Sequence, residues 1–426
     1  MRDIIKSYAA AYRAFQPNAK RFLIFSFLLS LAQSVYGLIF NLYILQSGYT
    51  MDFVGVLGAI PGLTVAALAI PLAVLTAGVP ARRLLLVSLA AAASAMLGMA
   101  FFTGRWPLML FSVLAGAAGA AIGITSLPLM ARNSTEAERQ HLFSFQFAIG
   151  TVAAFAGSLA AGWLTRAWSA LFYHGAETAD AYRLTLLAAC LLMLAAARAA
   201  SGIREAETSA PAEASGFARL DRRLAARVLA PQLIIGFGAG MVMPYLNVFF
   251  KNSFTLGIAS LGFCMSLMPL AMAFGGLMGP WLVKRAGQVK AMIIFQSVSI
   301  PFLATMGFSG LLIPTVLAAF ARTMLMNASW PVFSVFMLGH FPQAQHPALS
   351  SVYTAGWNLT FAAGTRLSGR LQMDFGFTVP FLCTIVCYAF ATLLLSRRFL
   401  RRENKKAAGE AAFEEAFERS AGDKLG

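Results

Sequence analysis

Charge is scarce in this chain. Asp, Glu, Lys and Arg make up 12% of its 426 residues, against about 25% in a soluble domain, which excludes an ordinary soluble fold. Acid is scarcer than base: 17 Asp and Glu stand against 33 Lys and Arg. Every acid falls in a predicted loop, linker or tail, and none in a long apolar run. That argues against a carboxylate relay for protons or sodium at mid-membrane, and against deep binding of a cationic drug by a buried acid. The four histidines, His141, His174, His340 and His346, also sit near loops. The four cysteines, Cys190, Cys264, Cys383 and Cys387, lie in apolar runs without metal-ligand spacing and read as small packing residues. No G-x-x-x-x-G-K-[ST] occurs, so a P-loop ATPase is excluded. Metal-hydrolase, Ser-His-Asp and redox arrangements lack acids or cysteines in suitable places. No enzymatic activity, metal or other cofactor is expected. The first 20 residues contain no apolar core of the secretory type. Ile4, Ile5, Tyr8, Tyr12 and Phe15 fall at helical spacing among basic residues, which predicts an amphipathic helix on the membrane face.

Apolar residues dominate instead, at 59%. Runs of about 20, each long enough to cross a bilayer as a helix, recur along the chain. They predict twelve spans, near 21–45, 53–76, 83–102, 107–130, 142–164, 183–200, 223–250, 258–283, 289–308, 310–338, 347–371 and 377–396. The runs are too long and too uniformly apolar for barrel strands, so the fold class is all-α integral membrane. The net charge of +16 is no nucleic-acid signal, because its distribution follows topology. With the N-terminus inside, 26 of the 33 basic residues fall on the inner side. Five fall outside: Arg105, Arg166, Arg183, Lys251 and Arg370. This positive-inside asymmetry places both termini in the cytoplasm and the basic face against anionic lipid.

A polar segment, "SGIREAETSAPAEASGFARLDRR" (Ser201–Arg223), divides the chain. The expected units are a cytoplasmic N-terminal segment (1–20), a six-helix bundle (21–200), a cytoplasmic linker (201–222), a second bundle (223–400) and a cytoplasmic tail (401–426). The halves overlay at an offset of 207 residues, which pairs Gly55 with Gly262, Gly157 with Gly364 and Gly162 with Gly369. An offset of 206 aligns "FNLYI" (Phe40–Ile44) with "LNVFF" (Leu246–Phe250) and pairs Asn41 with Asn247. Small residues at equivalent places let membrane helices approach closely.

With these features the sequence resembles the major facilitator superfamily of secondary transporters, over roughly residues 20–400. The family's loop 2–3 pattern, G-x-x-x-D-R-x-G-R-R, recurs in loop 8–9. Here the second copy is "PWLVKRAGQVK" (Pro280–Lys290), which keeps Arg285 and Gly287, with Lys290 just past the end. The first, "AVLTAGVPARR" (Ala73–Arg83), keeps only Arg82 and Arg83. The resemblance implies that Arg82, Arg83, Arg285, Gly287, Lys290 and Arg139 belong to the gating loops, although Ala77 and Lys284 stand where the motif has the acid of its charge network. Loop 4–5 and helix 5, "ARNSTEAERQHLFSFQFAIGTVAAFAGSLAAG" (Ala131–Gly162), are similar to a poorly assigned bacterial group that reads E-N-S-x-x-E-E-R-x-H-L-F-S. Arg139 belongs to that match. The resemblance implies a fold of two pseudo-symmetric six-helix bundles, a bacterial inner-membrane location and alternating access, and it supplies no substrate.

Arg322 is the most informative residue. It lies in "AAFARTMLMNASWP" (Ala318–Pro331), about 18 Å into the tenth span at 1.5 Å per residue, near the membrane middle. An arginine there faces a bundle interior or a wet cavity, and guanidinium suits a carboxylate or phosphate. Two readings stand: a ligand for an organic anion, or a hub that ties helix 10 to its neighbours. Arg366 in span 11 is a second candidate, and no buried acid is expected beside either. Polar or aromatic side chains complete the candidate binding set: Gln33, Tyr36, Asn41, Tyr245, Asn247, Gln146, Asn327, Trp330, Tyr353, Trp357 and Asn358. The expected function is transport of a small solute, with an organic anion preferred. Efflux of amphiphiles, and a non-transporting sensor on a carrier scaffold, are the alternatives. The expected partners are the solute and membrane lipid, with no nucleic acid, and the expected state is a monomer.

Overall fold

The computed structural model describes residues 15–76, 79–132, 136–203 and 220–400, without the side chains of 69–70, 73–75, 127–128, 131–132 and 136–140. The predicted N-terminal amphipathic helix, most of the linker and the tail lie outside the described residues. Among those described there are twelve long helices and no strand. They are α1 (Pro17–Gln46), α2 (Met51–Leu75), α3 (Ala81–Phe101), α4 (Arg105–Arg132), α5 (Glu136–Phe172) and α6 (Ala179–Ser201), then α7 (Arg222–Ser253), α8 (Ile258–Ala286), α9 (Gln288–Phe308), α10 (Leu312–Leu338), α11 (His346–Phe375) and α12 (Thr378–Leu400). In a bilayer a helix satisfies its own backbone, which is why each apolar run takes this form. The predicted ends hold to a few residues, apart from α5, expected over 142–164 and found over Glu136–Phe172. Eleven helices are long and apolar enough to cross a membrane. The twelfth, α11, is long enough but carries Thr, Asn, Arg and Gln side chains along its length.

Turn chemistry sets several ends. Thr178 caps α6 by accepting the Ala181 N–H at 3.3 Å, and Asp221 caps α7 by accepting from Arg223 and Leu224 at 2.9 and 3.1 Å. A single residue, Gly287, separates α8 from α9. Its φ of +84° is a conformation open to glycine and strained for other residues.

The two halves pack by the same plan. In the first, α1 lies against α5 and α6, α3 against α4 and α6, and α2 against α4. In the second, α7 lies against α11 and α12, α9 against α10 and α12, and α8 against α10. Each partner advances by six. The seam follows the same rule: α2 packs on α11, and α8 on α5. Individual residues repeat it too. A Cβ on Gly157 would meet the Leu31 carbonyl of α1. One on Gly364 would meet the Phe237 carbonyl of α7, the equivalent place in the other half.

One break departs from the repeat. Pro244 has no N–H to give Gly240, and α7 passes through a 3-10 turn at Met243–Tyr245 while α1 runs on unbroken. The freed carbonyls are satisfied from α11. Thr365 donates to Gly240 O at 3.1 Å and Ser368 to Met241 O at 2.5 Å. A hydroxyl from the neighbouring helix thus replaces the lost backbone bond.

Candidate functional site: the seam between the halves

The start of α1 and the end of α12 lie on one face of the bundle, here the terminus face. On the opposite, far face the halves are shut against each other. Gly55 of α2 meets Gly369 of α11, and Gly162 of α5 meets Gly262 of α8. An added Cβ at Gly55 would lie 3.0 Å from the Gly369 Cα, and one at Gly162 would lie 3.0 Å from the Gly262 Cα. The 207-residue offset maps the first contact onto the second. Between them, Asn41 and Asn247 hydrogen-bond at 3.3 Å. Each also donates to a carbonyl of the opposite half: Asn41 to Pro244 O at 2.6 Å, Asn247 to Leu38 O at 2.7 Å. Residues 38 and 244 are themselves equivalent at the 206-residue offset, so the pair is reciprocal about the pseudo-symmetry axis. Asn247 is 3% exposed, and its bonds tie the halves together.

Two ion pairs cross the same face. Arg366 of α11 reaches Asp52, in the first turn of α2, at 2.5 Å. No buried acid is expected beside Arg366, and the acid it meets is the partly exposed Asp52. Asp52 reads as a loop residue in the sequence, but α2 begins one residue earlier, and its first turn lies beside the outer part of α11. The second pair joins Glu177, in the α5–α6 connection, to Lys251 of α7. Glu177 also accepts the Ile258 N–H at the start of α8 and the Tyr182 hydroxyl, both at 2.8 Å. Burial alone would raise the Glu177 carboxyl pKa. The Lys251 hydrogen bond, then those from Ile258 and Tyr182, outweigh it and hold the group below the usual Glu range.

Toward the terminus face the halves stand apart around a cavity of about 480 Å³. Its walls come from α1 (Ser26, Ser30), α4 (Ser126), α5 (Phe143, Gln146) and α8 (Met272), among others. Gln146 is the one predicted binding residue among its lining. Gln33 is exposed one turn farther along α1 from Ser30, and a Cβ on Gly37, Gly119 or Gly123 would meet nothing within 4 Å. Tyr36 turns into its own half, with its hydroxyl 3.4 Å from the Met99 sulfur.

Arg322 sits about 15 Å into α10 and is 6% exposed. Its Nη1 lies 2.6 Å from the Met243 sulfur, beside the break in α7, and its Nη2 bonds the Tyr388 hydroxyl of α12. Nε has no partner among the described residues. The charge faces the Tyr388 ring, with 5.5 Å from Cζ to centroid. It therefore lies inside the second bundle and does not line the cavity. Trp330, two turns along α10, is 40% exposed. It packs at 5.1 Å on Trp357 and at 5.7 Å on Tyr353, forming an aromatic cluster between α10 and α11. Asn327 and Asn358 donate to carbonyls of their own helices, at 2.8 and 2.9 Å. Tyr245 is buried at the far face and donates to Thr365 O at 2.5 Å. The candidates thus divide into cavity residues, a buried bundle interior and far-face closure.

The loop residues make contacts within their own halves. Arg82 donates to Ser201 O at 2.5 Å, Arg83 is exposed, and Arg285 stacks over Trp281 of its own helix at 4.4 Å. Lys290 follows the Gly287 turn in α9. The Arg139 side chain lies outside the described ones. Four residues that hold the halves or Arg322 in place, Asp52, Glu177, Lys251 and Tyr388, had no motif to mark them. Their partners are distant in sequence, and only the helix plan brings them together.

A two-bundle helical membrane protein, shut at one face and hollow toward the other, has the construction of an alternating-access carrier. The sequence model of the Major Facilitator Superfamily matches the chain over residues 22–229 and again over 228–422. The chain belongs to that superfamily and is a secondary transporter. It is similar to the cis,cis-muconate transport protein of Acinetobacter baylyi (strain ATCC 33305 / BD413 / ADP1), at 23% identity over 154 residues. That match spans 36% of this chain and 37% of the relative. Among solved structures, the nucleoside transporter NupG shares the fold with a TM-score of 0.74 at 12% identity, over 90% of this chain and 100% of that one. A bacterial homolog of the human lysosomal transporter Spinster, in an inward-facing and occupied conformation, gives 0.71 at 12% identity, over 90% and 97%.

Proposed function

We propose that this carrier moves an organic anion across the cytoplasmic membrane of a bacterium, with both termini in the cytoplasm and no enzymatic activity of its own. The observation that carries the reading is Arg322. It is a permanent cation, buried near mid-membrane, whose described partners are a thioether and a phenol and whose Nε has none. A guanidinium so placed is costly until an anion meets it. The muconate relative supports an anion as the class of cargo. The positive-inside asymmetry supports the orientation, which makes the described state inward-facing, as in the Spinster homolog. The two halves of one chain enclose the pathway without a second copy, which supports a monomer.

A second reading draws on the cavity. Phe25, Leu29, Phe143, Phe147 and Met272 give its wall an apolar surface, which favours an amphipathic cargo. One experiment separates the two: thermal unfolding of the purified protein with anionic, neutral and cationic solutes, beside Arg322→Gln and Arg322→Lys. A ligand at 100 times its Kd stabilises the folded state by about 2.7 kcal/mol. Anions should stabilise the parent and not Arg322→Gln. Arg322→Lys, which keeps the charge and loses the fork, should respond weakly. Equal stabilisation of all three proteins by neutral or cationic amphiphiles would replace the anion reading with the amphiphile one.

A further inference from the structure

A second cavity lies on the outside of the bundle. It is a groove of about 450 Å³ lined by Trp163 and Arg166 of α5, Phe263 and Cys264 of α8, and Ile313 and Leu317 of α10, with neighbours on the same helices. Trp163, Phe263, Ile313 and Leu317 are all exposed. In a membrane-spanning bundle, such a surface meets acyl chains. The groove opens near the far face, because Leu312 begins α10 and Arg166 lies six residues before the end of α5. Arg166 stacks on Trp163 at 5.4 Å and has no carboxylate partner among the described residues. Tryptophan and arginine at this depth are the side chains that anchor at the lipid headgroup level.

We propose that the groove binds an anionic phospholipid of the far-face leaflet, with one acyl chain along α8 and α10 and the headgroup phosphate on Arg166. The apolar walls exclude a water-soluble anion, and the lone guanidinium at the rim selects for negative charge over a zwitterionic headgroup. Position gives the site a consequence. Its walls come from both halves, α5 on one side and α8 and α10 on the other, beside the Gly162–Gly262 contact. A lipid seated there contacts both halves only while the far face is closed, and so favours that state.

The test uses the fluorescence of Trp163, taken as the difference between the parent and Trp163→Phe. The protein is placed in phosphatidylcholine nanodiscs doped with phosphatidylglycerol or with further phosphatidylcholine, the dopant brominated on its acyl chains. At equal mole fraction, brominated phosphatidylglycerol should quench Trp163 with about fivefold higher apparent affinity, the ratio that one arginine near a membrane surface supports. Arg166→Gln should remove that preference and leave quenching by phosphatidylcholine unchanged. Equal quenching by the two lipids, or a preference that survives in Arg166→Gln, overturns the proposal. Because only Trp163 is read, lipid bound to the basic terminus face does not enter the signal.

Discussion

The far-face closure rests on backbone surfaces in contact, so the smallest possible side chain should open it. A Cβ built on Gly262 lies 2.9 Å from the Gly162 Cα and 2.9 Å from the Ser158 carbonyl. Carbon atoms in ordinary contact sit about 3.5–4.0 Å apart, so Gly262→Ala creates an overlap of roughly 0.6–1 Å. The atoms it strikes are backbone atoms of α5, which no rotamer change can move. Relief requires α5 and α8 to separate. Overpacking of this kind costs about 1–3 kcal/mol, and here the cost falls on the closed far face alone, because the helices part when that face opens. The closed-to-open ratio should fall by about 5- to 150-fold.

Spin labels at Thr103 and Ser309, in far-face connections of opposite halves, report the separation in a background without the native cysteines. Gly262→Ala and Gly162→Ala should each shift the distance distribution outward. Gly119→Ala and Gly123→Ala are the controls. A Cβ there meets nothing within 4 Å, so the distribution should stay put while helix propensity adds up to about 1 kcal/mol of stability. An unmoved distribution in Gly262→Ala, or an equal shift in the controls, would refute the argument.

Two further outcomes follow from the same seam. Thr365→Val should lower the thermal midpoint, because the Gly240 carbonyl freed by Pro244 loses its donor at a cost of about 1–3 kcal/mol, whereas Thr365→Ser should hold near the parent. The Glu177 latch should be insensitive to pH near neutrality. The Glu177 carboxyl pKa is depressed in the closed state, so its contribution is complete above the ordinary Glu value of about 4.3 and is lost as pH falls through the closed-state pKa. The same labels should show the far face closed at pH 6 and loosening only in acid below the ordinary Glu range. Glu177→Gln should loosen it at neutral pH and remove the further loosening in acid.

The fold was almost wholly legible, and the site only in part, for one physical reason. Helix existence is decided within a run of about 20 residues, and the bilayer enforces it. Pairing across the pathway is decided between residues up to 314 positions apart, as for Arg366 and Asp52. The Asn41–Asn247 pair was readable because the repeat puts both at one offset. Asp52 was not, since its partner's equivalent in the other half, Leu159, carries no charge and the repeat gave no hint. Arg322 lies about 15 Å along α10, against the roughly 18 Å that the sequence suggests. Its azimuth, toward Met243 and Tyr388 and away from the cavity, depends on the break in α7. Pro244 signals a break but not which carbonyls it frees or which hydroxyls satisfy them.

The placement of polar locks carries a last inference about the cycle. Both ion pairs that join the halves among the described residues lie on the far face. In the sequence, Ala77 and Lys284 stand where the family's loop motif has an acid, and on the terminus face Arg285 stacks on Trp281 of its own helix. The charge contacts therefore favour far-face closure. The Asp52–Arg366 pair is partly exposed and adds only about 0–1 kcal/mol. The Glu177 latch, the asparagine pair and the two glycine contacts supply the rest. A carrier biased this way waits with its cavity open at the terminus face. To return, it must lose the reciprocal asparagine bonds, and cargo promotes that step only by binding the other state more tightly. Arg322, enclosed in this state beside the break in α7, is placed where movement of α7 would change its exposure to an anion.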